Sequence, residues 1–130
     1  MTMQVIRGRL ESWIDRYERA WRSAGTDALG HLFSADVDYW TSPWGEPVRG
    51  LSALGTLWDA ERDGPDEPFD MTFEVVAADG DTGVVRVEVN YGNGTRWRDI
   101  WIVCFDQDGK CAHFEEWPIA PPDQESTIDD

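Results

Sequence analysis

Between Val84 and Trp117 the chain spells out three extended segments in succession. VVRVEVNY leads into a Gly-Asn-Gly turn, TRWRDIWIVCF into an Asp-Gln-Asp-Gly turn, and CAHFEEW follows. Side chains of a strand alternate between the two faces of its sheet, so Trp97, Asp99 and Trp101 share one side. A carboxylate set between two indoles there is either a reactive group or an anchor for a ligand. The short turns make neighbouring strands antiparallel, and a fourth strand, about Met71 to Ala78, precedes these three to complete a meander.

Ahead of the meander the pattern is helical. Leu10, Trp13, Ile14, Tyr17, Ala20, Trp21 and Ala24 fall at the i, i+3, i+4, i+7 spacing of an amphipathic helix closed by Gly25. Thr26 is placed to cap a second, shorter helix running to Phe33. Val37 to Ser42 reads as a strand halted by Pro43, and Arg49-Gly50 caps the loop before a third helix. That helix carries the stripe Leu51, Leu54, Leu57 and Trp58 and ends at Asp63-Gly64-Pro65. The connection from Asp66 to Pro68 is expected at the surface beside a pocket mouth. Helices followed by an antiparallel sheet predict an α+β fold with the helices on one sheet face. One domain is expected over residues 10–118, with a short extension at 1–9 and an acidic, proline-containing, mobile tail at 119–130.

The strand around Asp99 is apolar on both faces. Ile100, Ile102 and Cys104 lie opposite Trp97, Trp101, Val103 and Phe105, whereas a sheet covered on one side would turn polar residues outward. A second copy of the chain is the simplest cover. The expectation is a homodimer through the sheet backs, centred on Ile100, Ile102, Cys104 and Trp117.

Charge narrows the partners. With 26 acidic and 11 basic side chains the net charge is −15, which disfavours nucleic acid and anionic lipid. The N-terminus lacks the apolar core of a signal peptide, and no run approaches a membrane span, so a cytoplasmic location is expected. Cys104 and Cys111, flanking one turn, are expected to be free thiols. His31 and His113 have neither metal-ligand spacing nor companions, so no metal is expected; His113 shares parity with Cys111 and Glu115 on the outer face. No dinucleotide or phosphate-loop fingerprint is present, and no cofactor is expected. Eight tryptophans exceed what packing alone requires and point to an aromatic-lined chamber.

Several strings, in this order and spacing, resemble the nuclear transport factor 2-like superfamily, in particular its SnoaL-like and ketosteroid isomerase-related branch. They are YERAW in the first helix, DALGHLFSADV at the second, TSPWGEPVRG before the third, and FDQDGKCAHFEEW at the end. The resemblance spans about Leu10 to Pro118. It implies a cone-shaped, cystatin-like α+β roll, in which three N-terminal helices pack on a strongly curved sheet around a deep pocket. It does not imply one activity, because such folds isomerise, cyclise, dehydrate, hydrolyse or only bind.

The isomerases resembled here use a carboxylate base, a tyrosine and a protonated aspartic acid. Overlaid on this chain, the tyrosine falls on Tyr17, the base on Ser42 and the aspartic acid on Trp101. A hydroxyl without its own base cannot remove a carbon-bound proton at neutral pH, and an indole N–H is a poorer donor than an acid, so that mechanism is rejected. The overlay and the alternation together turn Val85, Val87, Val89, Tyr91, Trp97, Asp99, Trp101, Phe114 and Glu116 into the chamber. Trp21, Trp40, Ser42, Leu54 and Trp58 join from the other elements. Asp99 becomes the candidate acid or base, with Tyr17 and Glu116 assisting; a slip of one residue would exchange Glu116 for Glu115. The predicted ligand is a small, apolar or aromatic organic molecule. The reading of Asp99 as a mere anchor, in a non-catalytic dimeric binding or accessory module, stands beside the catalytic one.

Overall fold

The computed structural model describes residues 3–61 and 68–122. In chain order the elements are α1 (Met3–Trp21), α2 (Leu29–Leu32), β1 (Phe33–Trp40), β2 (Val48–Arg49), α3 (Leu51–Glu61), β3 (Phe69–Asp79), β4 (Thr82–Tyr91), β5 (Arg96–Phe105) and β6 (Cys111–Ile119). The strands form one six-stranded sheet ordered β2-β1-β6-β5-β4-β3, antiparallel throughout except where β1 runs parallel to β6. The fold is α+β, as the order of patterns predicts. Among the described residues there are three helices, but only two precede the sheet; α3 enters after β2.

The first helix follows its apolar spacing. Ile6, Leu10, Trp13, Ile14, Tyr17 and Ala20 are all buried. It starts at Met3 and stops at Trp21, so residues 3–9 belong to it and Ala24 does not. The chain leaves through turn bonds from Arg22 N to Glu18 O (3.0 Å) and from Ser23 N to Ala20 O (3.1 Å), then through Gly25 at φ +79°. The second helix is only four residues long, because Phe33 is already extended and opens β1 four residues before the expected Val37. Its N-cap is Ala28, with no side-chain cap, and the expected cap Thr26 contributes only a turn bond from Leu29 N to its carbonyl at 3.2 Å. Arg49 lies in β2 and pairs with Asp38 of β1, while Gly50 N donates to Val37 O at 2.9 Å. Arg49-Gly50 is thus a strand edge as well as a loop end. The expected end of α3 at Asp63 to Pro65, residues 66–67 of the following loop and residues 123–130 of the tail lie outside the described residues; Ile119 still belongs to β6.

Two irregularities in register decide which side chains face inward. Between Phe33 and Asp38 the pairing of β1 with β6 shifts, and Tyr39 comes to share the inner face with Phe114 while Trp40 shares the outer face with Glu115. Between Cys104 and Phe105 the pairing of β5 with β6 shifts as well, and Cys111 sits beside Phe105. Cys111 is therefore fully buried in the core instead of lying outside with His113. Both cysteines are free. The core gathers around Trp13, with rings of Phe33, Phe105 and Phe114 at 5.4–6.0 Å.

Candidate functional site

Where α1 ends, α3 passes over the sheet and leaves a cavity of about 310 Å³. The structure brings Tyr17, Trp21, Ser42 and Trp58 to it from the helices and the end of β1. From the meander it brings Val89, Tyr91, Trp97, Asp99, Trp101 and Glu116. Alternation aims the β5 residues there: Asp99 pairs with Val87 of β4 and with Pro118 of β6, while Trp101 pairs with Glu116. Glu116 is thus diagonal to Asp99 on the next strand, within reach of a leaning carboxylate. Glu115 points outward.

Five expected lining residues stand elsewhere. Val87, Leu54 and Phe114 are fully buried in the packed core, as is Val85. Their parity is inward, but where they stand the interior is already filled by the core. Trp40 is on the outer parity of β1 for the reason of register given above. In its place stands Tyr39, and Thr41, Leu57, Glu61, Phe69, Met71 and Pro118 also line the cavity. Glu61 was legible in principle, since it falls three residues after Trp58 and four after Leu57 on the same helix face.

Polar atoms in this chamber are few and interlocked. The hydroxyls of Tyr17 and Tyr39 bond to one another at 3.1 Å, and Tyr17 packs against Trp101 (4.7 Å) and Trp58 (5.1 Å). Burial pushes both phenols upward, so both remain neutral. Asp99 is 4 % exposed; its Oδ2 accepts from Trp101 Nε1 at 3.3 Å. Oδ1 of Asp99 has no partner in good hydrogen-bond geometry among the described residues, and Glu116 is the carboxyl side chain beside it.

Burial raises Asp99 to about 6, against the hydrogen bonding of Trp101 and Glu116, which favours its charged form. Glu116 is raised well above the carboxylate range, first by burial, then by the charge of Asp99, with a smaller push from Glu61. Near neutral pH the pair therefore holds one proton between its two carboxyl groups, with both raised by burial. A carboxyl donor and a carboxylate acceptor on one wall can take a proton from one atom of a bound molecule and hydrogen-bond another.

The isomerase overlay fares unevenly. Tyr17 is in the chamber, but the Ser42 hydroxyl is engaged with the backbone of Trp44 in a local turn, and the Trp101 indole serves Asp99. On the outer face His113 Nε2 and Glu115 are 2.8 Å apart and Trp117 Nε1 donates to Glu115 at 3.1 Å. Ile100, Ile102, Cys104 and Trp117 lie half-buried on that face. His31 is exposed on α2. Among the described residues no helix is long and apolar enough to cross a membrane, and no cluster of three or more His, Cys, Asp or Glu side chains is placed to hold a metal ion.

Residues 14–114 match the SnoaL-like domain family. The chain belongs to that family. Solved structures similar to this SnoaL-like protein include one from Kribbella flavida described as a candidate ketosteroid isomerase. It has a TM-score of 0.70 and 18% identity over 95% of this chain and 84% of its own. A candidate isomerase of the SnoaL-like family from Agrobacterium tumefaciens aligns with a TM-score of 0.67 and 11% identity, over 87% of this chain and 99% of that one. A computationally designed 17-OHP binder aligns with a TM-score of 0.65 and 14% identity, over 84% and 89%. These likenesses establish the nuclear transport factor 2-like fold. No curated protein matches the sequence.

Proposed function

We propose that this SnoaL-like protein binds a small, largely apolar organic molecule in the cavity and carries out cofactor-independent acid/base chemistry on it, with Asp99 as the base. The observation that supports this most is the Asp99–Glu116 pair, two carboxyl groups on adjacent strands facing one aromatic-lined space with unequal affinities for the proton. In an enolisation, the Asp99 carboxylate removes a proton from the carbon beside a carbonyl. The C–H electron pair becomes the C=C bond, and the carbonyl oxygen takes a hydrogen bond or the proton from Glu116. Return of the Asp99 proton to another carbon completes an isomerisation, and expulsion of a neighbouring hydroxyl as water completes a dehydration. Tyr17 and Tyr39, held neutral, supply hydroxyls beside the site.

The test is exchange of carbon-bound hydrogen for deuterium from D₂O in a panel of small cyclic carbonyl compounds, with and without amine groups, followed by NMR without added cofactor. Exchange is expected to rise as Asp99 ionises near pH 6 and to fall at higher pH as Glu116 loses its proton. Asp99→Asn should lower it by about 10²–10⁴-fold, with binding of the amine-free members retained. Binding without exchange in the wild type would refute the catalytic reading. It would leave the second one, a non-catalytic dimeric binding or accessory module, which the row of half-buried apolar residues on the outer sheet face favours.

A further inference from the structure

We infer that the ligand of this cavity carries a positive charge: a small aromatic or alicyclic amine whose ammonium group sits against Asp99 and Glu116 with its carbon body among the indoles. The inference rests on the binding function proposed above and names the class of ligand. Three carboxyl side chains, Glu61, Asp99 and Glu116, line the cavity, and among the described residues none that lines it is cationic. Arg22, tied to the rim, is already engaged. Its Nε meets Glu18 Oε2 at 2.9 Å, Nη2 donates to Phe69 O at 2.9 Å, and the guanidinium stands 3.8 Å over the Phe69 ring.

Acidic side chains alone would not make a site. Here one of them, Asp99, is almost wholly buried at the cavity, and its Oδ1 has no partner in good hydrogen-bond geometry among the described residues, with only Glu116 beside it. A buried acceptor of that kind costs stability unless something donates to it. A neutral alcohol can supply one hydrogen bond. An ammonium supplies up to three and offsets the negative charge of the site.

The surrounding rings suit the same guest. Trp97 and Trp101 flank Asp99 along β5, and Trp21 packs edge-on against Trp58 at 4.9 Å and 73°. Indole faces attract cations in partly desolvated sites. The net charge of −15 also draws cations toward the molecule from solution. A cavity of about 310 Å³ lies at the small end of ligand pockets, roughly 300–1,000 Å³, and excludes large polyamines. Burial first, then the charges of Asp99 and Glu61, raise Glu116; a bound ammonium offsets the two charges and should release part of the proton.

Three probes of one shape separate the possibilities: 2-phenylethylamine as cation, 2-phenylethanol as neutral molecule and phenylacetate as anion. Affinities are read by titration calorimetry and tryptophan fluorescence at pH 7. The amine is expected to bind at least about tenfold tighter than the alcohol, and phenylacetate weakest. Calorimetry in phosphate and in Tris should show up to about one proton released with the amine and none with the alcohol. Asp99→Asn should bring the two affinities within about threefold. Glu61→Gln, on the exposed end of α3, should weaken the amine alone and serves if the Asp99 variant fails to fold. Equal affinities for amine and alcohol, tighter binding of the anion, or amine binding without proton release would each overturn the inference. If the alcohol still binds and Trp97→Ala weakens it, the pocket reading survives that failure. If none of the three binds, both fall.

Discussion

At the packed end of the interior Trp13 is ringed by Phe33, Phe105, Phe114 and Tyr17, and its indole N–H donates to Leu32 O at 2.9 Å. At the cavity end Trp97, Trp101, Trp58 and Trp21 stand around an open space, and an oxygen of Asp99 has no partner in good hydrogen-bond geometry among the described residues. The two regions use the same kind of side chain. They differ in whether the polar atoms among the rings are satisfied by the chain itself. A core closes where every donor finds a partner and the rings interlock. A chamber stays open where two carboxyl groups project inward, since packing hydrocarbon against them would strand their charge. Tyr17 belongs to both: it stacks on Phe114 at 5.9 Å and 22°, and its other side looks into the cavity.

The contrast breaks hardest at the closed end. Trp13→Ala should cost about 3–5 kcal/mol in urea unfolding, because the neighbouring rings cannot collapse into the space. A cost comparable to that of a surface residue would show that this end is not tightly packed.

At the open end the effect is smaller and its sign depends on pH. Asp99 is raised from 3.8 to about 6 in the folded protein. Below about pH 4 it is protonated in both states and its contribution is fully present; as pH rises through 6 the unfolded state, which ionises more readily, gains. Asparagine does not titrate. The stability of Asp99→Asn relative to wild type should therefore climb between pH 4 and 6, by up to about 3 kcal/mol at ~1.4 kcal/mol per pH unit. A flat difference across that range would mean that Asp99 is solvated in the folded state.

Least affected should be the outer face. Ile102→Glu lies half-buried on that face, away from both ends, and should change the unfolding free energy of the isolated chain by less than about 1 kcal/mol. If a second copy covers this face, the same change halves the mass in sedimentation. An unchanged mass would refute an interface centred on Ile100, Ile102, Cys104 and Trp117.

Much of the site was legible because its information is local. Trp97, Asp99 and Trp101 follow from the two-residue period of one strand, and Tyr17 and Trp21 from the helical period of α1. Trp40 misled for the complementary reason: parity within β1 is also local, but which parity faces inward depends on the shift between Phe33 and Asp38 relative to β6. Cys111 was misassigned through the second such shift, between Cys104 and Phe105. Val87, Leu54 and Phe114 point inward as their pattern requires, yet periodicity contains no measure of whether an inward side chain meets packed core or open space.

The sequence by itself determined the element types, the antiparallel meander, the inward aim of Asp99 and an overall surplus of negative charge. Hydrogen-bond period, turn chemistry and composition act over a few residues and need no partner from elsewhere. The tertiary structure alone decided that Glu116 is diagonal to Asp99, that Tyr39 and Glu61 join them, and that the indoles of one end enclose space while those of the other fill it. Those outcomes depend on strand register and on how α1 and α3 cross the sheet, and both are set by contacts between residues far apart in the chain.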